Sequence, residues 1–221
     1  GARVFIAGST QAPEEDLALD AYLKLRESHP ELRLLLVPRH KERFEEVAAL
    51  VAGRGLPLLR RSRGTAANAG PNRPVLMLDT LGELSACWGL AEIAFVGGSL
   101  TNRGGQNMIE PSGFGAAVLF GPNTQNFRDV VSLLLSHEAA RVVRDGNDLT
   151  ASVAQLLDNP EEARQLGRRA QQLRGGARRG PAFPITLETY REVLRDVFDL
   201  PSLLDVLRQI RSRAIRIGSS R

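Results

Sequence analysis

Short apolar runs separated by amphipathic stretches recur along almost the whole chain, and this alternation limits the possible folds more than any other feature. Runs too short for a buried helix, each followed by a charged stretch with helical spacing, are the mark of βα units, which build parallel sheets. The first run predicts a strand over 4–7. A helix over 13–28 follows: Pro13 stands near its start, Glu14, Glu15 and Asp16 suit the positive end of its dipole, and Leu17, Tyr22 and Leu25 offer an apolar stripe. The next strand, over 32–37, contains Leu34, Leu35 and Leu36 in succession, as expected where both faces are covered. A helix over 42–51 closed by Gly53 and a short strand at 58–59 come next, then a Gly-, Asn- and Arg-rich loop over 61–73. Further strands are expected over 75–78, 93–96, 117–120 and 140–143. Helices are expected over 81–90, 127–136, 149–157, 160–173 and 185–198.

The fold class is therefore α/β, a doubly wound parallel sheet of Rossmann type with about six strands. Residues 1–199 form this domain, and 200–221 form a basic tail, either an amphipathic helix or disordered. In such sheets ligands bind beyond the carboxyl ends of the strands, so the loops that follow the strands are where function is sought.

Composition narrows the function classes. With 43% hydrophobic and 24% charged residues over 221 positions, the chain can bury the core of one generous domain. No run approaches the roughly 18 to 20 apolar residues of a membrane span, and the start does not resemble a signal peptide. A strand-like run three positions after Gly1 is expected of a piece cut from a longer protein. Cys87 is the sole cysteine, so no internal disulfide forms, and a reducing compartment is expected. One cysteine with His29, His40 and His137 far apart leaves no metal-ligand spacing. The tail carries Arg208, Arg211, Arg213, Arg216 and Arg221 against Asp205 alone, enough to account for the net charge of +4. Aromatics make up 5% and do not interleave with the basic residues, which argues against a surface for single-stranded nucleic acid. An anionic membrane surface fits the tail better.

Four strand-end loops hold unusual residues. In Ala7-Gly8-Ser9-Thr10-Gln11 a small hydroxyl-bearing turn offers N–H groups to an anion, or Ser9 or Thr10 merely caps the next helix. In Val37-Pro38-Arg39-His40, proline stops the strand sharply and projects Arg39, suited to a phosphate or carboxylate, or simply solvated. In the segment from Asp79 through Thr80, Leu81, Gly82 and Glu83 to Leu84, Asp79 or Thr80 can cap a helix with Glu83 in its first turn. Gly82 weakens such a helix unless something approaches its backbone closely. The fourth loop, 97–111, has four glycines at 97, 98, 104 and 105, then a helix beginning near Asn107. Glu110, about one turn in, points the same way as Asn107 and could accept hydrogen bonds from two ribose hydroxyls; surface capping is its plainer reading. The loop lacks both the G-x-G-x-x-G spacing of dinucleotide enzymes and a P-loop lysine, which argues against NAD and ATP.

Taken together these loops resemble the Kdo (3-deoxy-D-manno-octulosonic acid) transferases of lipopolysaccharide synthesis. The resemblance rests on Ala-Gly-Ser-Thr at 7–10, Leu-Leu-Val-Pro-Arg-His at 35–40 and Asp-Thr-Leu-Gly-Glu-Leu at 79–84. It continues through Phe-Val-Gly-Gly-Ser-Leu at 95–100, Gly-Gly-Gln-Asn-Met-Ile-Glu-Pro at 104–111 and Val-Leu-Phe-Gly-Pro-Asn-Thr-Gln-Asn-Phe at 118–127, in the family's order, over roughly residues 1–175. It implies the C-terminal half of a GT-B glycosyltransferase, the half that holds the donor CMP-Kdo for transfer to a lipid A precursor at the cytoplasmic face of the inner membrane. It implies that Pro38 and Arg39 meet the CMP phosphate region, that Leu81, Gly82 and Glu83 line the nucleotide, and that Asn107, Met108, Ile109 and Glu110 hold phosphate and ribose, with Ser9 at the edge. It implies no metal and no cofactor. The general base belongs to the family's N-terminal domain, so no catalytic residue is expected in this chain, which alone should bind nucleotide weakly and transfer nothing. The family usually has His where this chain has Gln106, and often His at Gln11 and Asn123; an amide replaces a neutral imidazole in hydrogen bonding but carries no charge. The rival expectations are a UDP-sugar transferase or epimerase of the same fold, and a non-catalytic module.

Overall fold

Parallel strands cannot be joined by tight hairpins, so each apolar run must be followed by a crossover. The computed structural model, which describes residues 2–63 and 73–176, realises this as seven strands of one all-parallel sheet. In chain order they are β1 (Arg3–Thr10), α1 (Glu14–Leu25), β2 (Leu32–Pro38), α2 (Phe44–Gly53), β3 (Leu58–Arg60), β4 (Val75–Met77) and α3 (Leu84–Cys87). Then follow β5 (Ile93–Val96), α4 (Ile109–Gly113), β6 (Ala117–Phe120), α5 (Arg128–Ser136), β7 (Ala140–Val142), α6 (Gly146–Asp158) and α7 (Pro160–Gly176). The strand order is β3-β4-β2-β1-β5-β6-β7. The chain winds outward through β2, then returns to lay β5 beside β1, so the topological switch point lies between the carboxyl ends of β1 and β5.

Successive residues of each strand face opposite sides, and both sides are apolar. Phe5, Leu34, Leu36, Phe95 and Leu119 pack with Leu19, Tyr22, Val47, Leu149 and Val153 from α1, α2 and α6. Ile6, Leu35, Val96, Val118 and Phe120 pack on the other face with Trp88, Met108, Leu134 and Ala170. Each fully buried side chain of this size contributes on the order of 2 kcal/mol by leaving water. The amino edge of the sheet is tied by Arg3. Its Nε donates to Glu92 Oε2 at 3.0 Å, and its terminal nitrogens donate to the carbonyls of Leu156 and Leu157. Those carbonyls, in the last turn of α6, have no partner within their own helix.

Several expectations shift. Strand β1 runs on to Thr10, and α1 begins at Glu14 behind Pro13, with no side-chain cap from Ser9 or Thr10. The helix expected over 81–90 contracts to α3 and a 3-10 turn over Trp88–Leu90. Gly82 is the reason: its φ of +86° belongs to a left-handed turn, not to a helix interior. The helix expected near Asn107 begins only at Ile109 and lasts five residues, which puts Glu110 in its first turn. Helix α6 starts earlier than expected because Asp145 caps it, accepting from the Asp148 N–H at 2.8 Å. The helix expected over 185–198 and the tail over 200–221 lie outside the described residues.

Close packing fixes one glycine at the site's floor. A Cβ on Gly8 would fall 2.4 Å from Trp88 Cη2 and 2.6 Å from its Cζ2, and Trp88 is fully buried. Gly8→Ala should therefore displace the indole and destabilise the fold by about 1–3 kcal/mol. Urea unfolding checks this; a wild-type midpoint would mean that the ring yields freely.

Candidate functional site

The two strands at the switch point end irregularly. Between Gly8 and Thr10 the register of β1 on β2 slips, and Ser9, buried, takes a φ of +55°, a strained value for a residue with a side chain. The chain then turns into α1, and Glu14 enters the protein with none of its surface exposed. Glu14 Oε2 accepts the N–H groups of Gln11 (3.0 Å) and Gly98 (2.7 Å). Its Oε1 accepts those of Ser99 (3.0 Å) and Leu100 (2.9 Å). Burial pushes this carboxyl above its ordinary range, while the four N–H groups, Gly98 foremost, pull it back. Two donors on each oxygen leave no acceptor for a carboxyl proton, so the arrangement suits the ionised form.

This changes how the first and fourth loops are read. The N–H groups of Gln11, Gly98, Ser99 and Leu100 are not offered to a ligand anion, because Glu14 occupies them. Glu14 was not recognised from the sequence as part of the site; it was read there as a helix-dipole residue. Three of its four partners stand more than eighty positions away, and the only local signal was an acid directly after Pro13 in a strand-end loop.

Above Glu14 the Gly-rich loop folds back on itself. Gly98, Gly104 and Gly105 have φ of +67°, +88° and +77°, and Gly105 N–H donates to Gly98 O at 2.9 Å. Gly97 lies so close to β1 that a Cβ would fall 2.6 Å from both Ser9 O and Thr10 Cα. The loop delivers Asn107 and Glu110 to the rim. Asn107 Nδ2 donates to Glu110 Oε1 at 3.0 Å, Asn107 Oδ1 accepts from Ile109 N–H, and Ser85 Oγ donates to Glu110 Oε2 at 2.7 Å. Glu110 is thus oriented from two sides, with a lone pair left on each oxygen. Met108 departs from expectation. It is fully buried with its Cε against Gly105, so its side chain belongs to the core and only its backbone can reach a ligand.

Ser85 also joins the third loop to the fourth. Leu81 is 71% exposed and Ile109 is 45% exposed, which gives the rim two apolar surfaces beside Glu110. Open space surrounds the Cβ position of Gly82, so its glycine is explained by the positive φ rather than by a close neighbour. Glu83 accepts from Thr80 Oγ1 and from Arg61 at 3.2 Å; its carboxylate supports the loop. Asp79 does not cap α3. Burial works against its carboxylate, but bonds from Ser62 and the Arg60 guanidinium (2.7 Å) outweigh that and hold it below its ordinary range. In the second loop Pro38 is buried as the last residue of β2. Arg39 N–H is fixed to Thr10 O at 2.9 Å, and its side chain is exposed.

The structure thus joins the segment of Leu81 and Gly82, through Ser85, to the rim of Asn107, Ile109 and Glu110, while Ser9 lies at the end of β1 and Arg39 follows the neighbouring strand β2. It also brings together the positions where His was expected by resemblance. The amides of Gln11 and Gln106 flank Gly98, while Asn123 N–H donates to Ser99 O and its carbonyl adjoins Gly105. Cys87 takes no part: burial pushes its thiol up to about 12, and no surface reaches it. A cleft of about 490 Å³ between α2 and β3, lined by Glu45, Leu58, Arg60 and Arg63, lies at the outer edge of the sheet, where Arg60 also holds Asp79 of the third loop.

Comparison with known proteins adds three findings. Residues 131–221 match a family model described as DEAD/H associated, over less than half of the chain. The described part of that stretch is integral to the same sheet, since β7 pairs with β6 and α6 packs on α1. Over 165 residues the chain is 38% identical to the 3-deoxy-D-manno-octulosonic acid transferase of Haemophilus influenzae, spanning 74% of this chain and 38% of the relative. Over 174 residues it is 36% identical to that of Bordetella pertussis, spanning 77% and 40%. The chain thus covers about two-fifths of the length of these relatives. The crystal structure of the C-terminal CMP-Kdo binding domain of WaaA from Acinetobacter baumannii superposes with a TM-score of 0.72 at 31% identity, covering 78% of this chain and 89% of that one.

Two outcomes test the site's construction. Glu14→Gln places an amide NH₂ against N–H donors and should destabilise the chain by about 2 kcal/mol or more in urea unfolding; an unchanged midpoint would show that the four bonds contribute nothing. Cys87 should stay unmodified by a thiol reagent in the native state and react fully in denaturant.

Proposed function

This chain belongs to the 3-deoxy-D-manno-octulosonic acid transferase family, and from that premise we propose that it is the domain that binds the CMP-Kdo donor. The observation that carries this reading is Glu110, held by Ser85 and Asn107 with a free lone pair on each oxygen, next in sequence to the exposed Ile109 and joined through Ser85 to the segment that exposes Leu81. A pair of ribose hydroxyls matches those two acceptors, and the apolar faces suit the nucleoside. Arg39, projecting from the end of β2, supplies positive charge for the phosphate, which Glu14's occupation of the neighbouring N–H groups makes necessary. Gly82 leaves the backbone open to the nucleotide.

In the reaction proposed for the full-length protein, an acceptor hydroxyl oxygen on a lipid A precursor attacks the anomeric carbon of Kdo. The bond from that carbon to the CMP phosphate oxygen breaks, and CMP leaves with the electron pair. The hydroxyl proton passes to a base outside this chain. Arg39 opposes the charge that grows on the phosphate. We propose that no metal takes part. In support, no group of three His, Cys, Asp or Glu side chains converges among the described residues. No helix among those residues is long and apolar enough to cross a membrane. For the full-length protein we propose a place at the cytoplasmic face of the inner membrane, to which the arginines of 208–221 would contribute by attraction to anionic lipid. A nucleic-acid partner is not proposed; salt-dependent binding of single-stranded RNA by the chain would count against that.

Calorimetry with the 221-residue chain tests the donor reading. CMP should bind measurably and more tightly than UMP or UDP, and preference for a uracil nucleotide would overturn it in favour of a UDP-sugar enzyme. Arg39→Ala and Glu110→Gln should each weaken CMP about tenfold or more, whereas unchanged affinity would make these loops structural. The chain alone should transfer no Kdo; robust transfer would place the base within it.

A further inference from the structure

Two primary amides in the crevice between β1 and β5 have no role in the fold. A Cβ placed on Gly98 would lie 3.4 Å from Gln11 Nε2 and 3.4 Å from Gln106 Nε2, so both amides face one point that the missing side chain leaves open. Gln11 is only 9% exposed, yet neither side chain hydrogen-bonds to another described residue. Neither amide is among the buried atoms left without a hydrogen bond, so both open onto the crevice, and a ligand there would meet donors and acceptors that the fold does not use. Gly98 is locked with φ +67° by its N–H on Glu14 and its carbonyl on Gly105, so the gap is held open by the backbone.

We infer that Gln11 and Gln106 form the subsite for the sugar of the donor, as distinct from its nucleotide; this rests on the donor reading above. Order along the chain sets the direction. Gln106 immediately precedes Asn107, which orients Glu110 at the rim, while its own amide turns inward to the switch point beside Gln11. A donor with its ribose on Glu110 and its phosphate toward Arg39 extends its sugar into this crevice. Uncharged groups that both donate and accept match the hydroxyls and carboxylate oxygens of a polyhydroxylated acid sugar, and they offer little to a phosphate that a charged side chain would hold better.

The test compares CMP with CMP-Kdo by calorimetry on the full chain carrying Gln11→Ala or Gln106→Ala. Each substitution should weaken CMP-Kdo about tenfold and leave CMP within about twofold. Gln106, half-buried, keeps the experiment decisive if Gln11→Ala lowers the unfolding midpoint. Equal loss for both ligands would assign the amides to the nucleotide or the fold, and no loss for either would mean that the crevice holds only water; both outcomes overturn the subsite alone. If the unaltered chain binds no CMP, the donor reading fails and the subsite falls with it.

Discussion

A buried carboxylate organises the functional edge of this protein. Removing an ion from water costs several kcal/mol, and the cost is tolerable only where strong hydrogen bonds replace the lost solvation. Glu14 receives four, from Gln11 on its own turn and from Gly98, Ser99 and Leu100 on the loop after β5. Those donors come from either side of the switch point, so one side chain sets how the end of β1 and the Gly-rich loop meet. The left-handed angle at Gly98, the return of Gly105 onto it and the delivery of Asn107 and Glu110 to the rim all follow from that anchoring. Because these four backbone donors face inward to Glu14, they are not free for an anion, and Arg39 is an exposed cation just past the end of the adjacent strand.

The two edges of the sheet divide the work. At the amino edge, Arg3 ties β1 to Glu92 and to the final carbonyls of α6, which closes a helix end and exposes nothing for binding. At the carboxyl edge the polar contacts fix three carboxylates. Ser85 and Asn107 steady Glu110, Thr80 and Arg61 steady Glu83, and Ser62 and Arg60 steady Asp79. Trp88 connects these layers. It lies under Gly8 and next to α3, so core packing on one face of the sheet sets the height of the loop that carries Leu81 and Ser85.

Much of the fold was legible because it is written in local patterns. The runs at 93–96 and 117–120 match β5 and β6 residue for residue, since a central parallel strand buried on both faces is apolar at every position. The helix expected over 81–90 was misread because apolar spacing continued through a segment whose backbone is interrupted at Gly82 and tightened at Trp88. For the site, residue types at strand ends singled out Arg39, Asn107 and Glu110 as candidates, but they could not reveal which polar groups were already satisfied. Glu14 illustrates the limit. A carboxylate in the first turn of a helix has a sufficient local explanation, and only the long-range pairing of β1 with β5 brings it three N–H groups from the other loop.

Amides stand at all three positions where the family resemblance leads one to expect histidine. Gln11, Gln106 and Asn123 are separated by up to 112 positions, yet all three border the short stretch of backbone from Gly98 to Gly105. An imidazole there could change its charge near neutral pH, and the Glu14 carboxylate below would feel that change. Three amides remove the possibility together while keeping donors and acceptors in the crevice. The carboxylate is solvated by backbone N–H groups, and its amide neighbours add no charge of their own. The charges of Arg39 and Glu110 stand where phosphate and ribose are proposed to bind, and hydrogen bonding without charge is left where the sugar is proposed to lie.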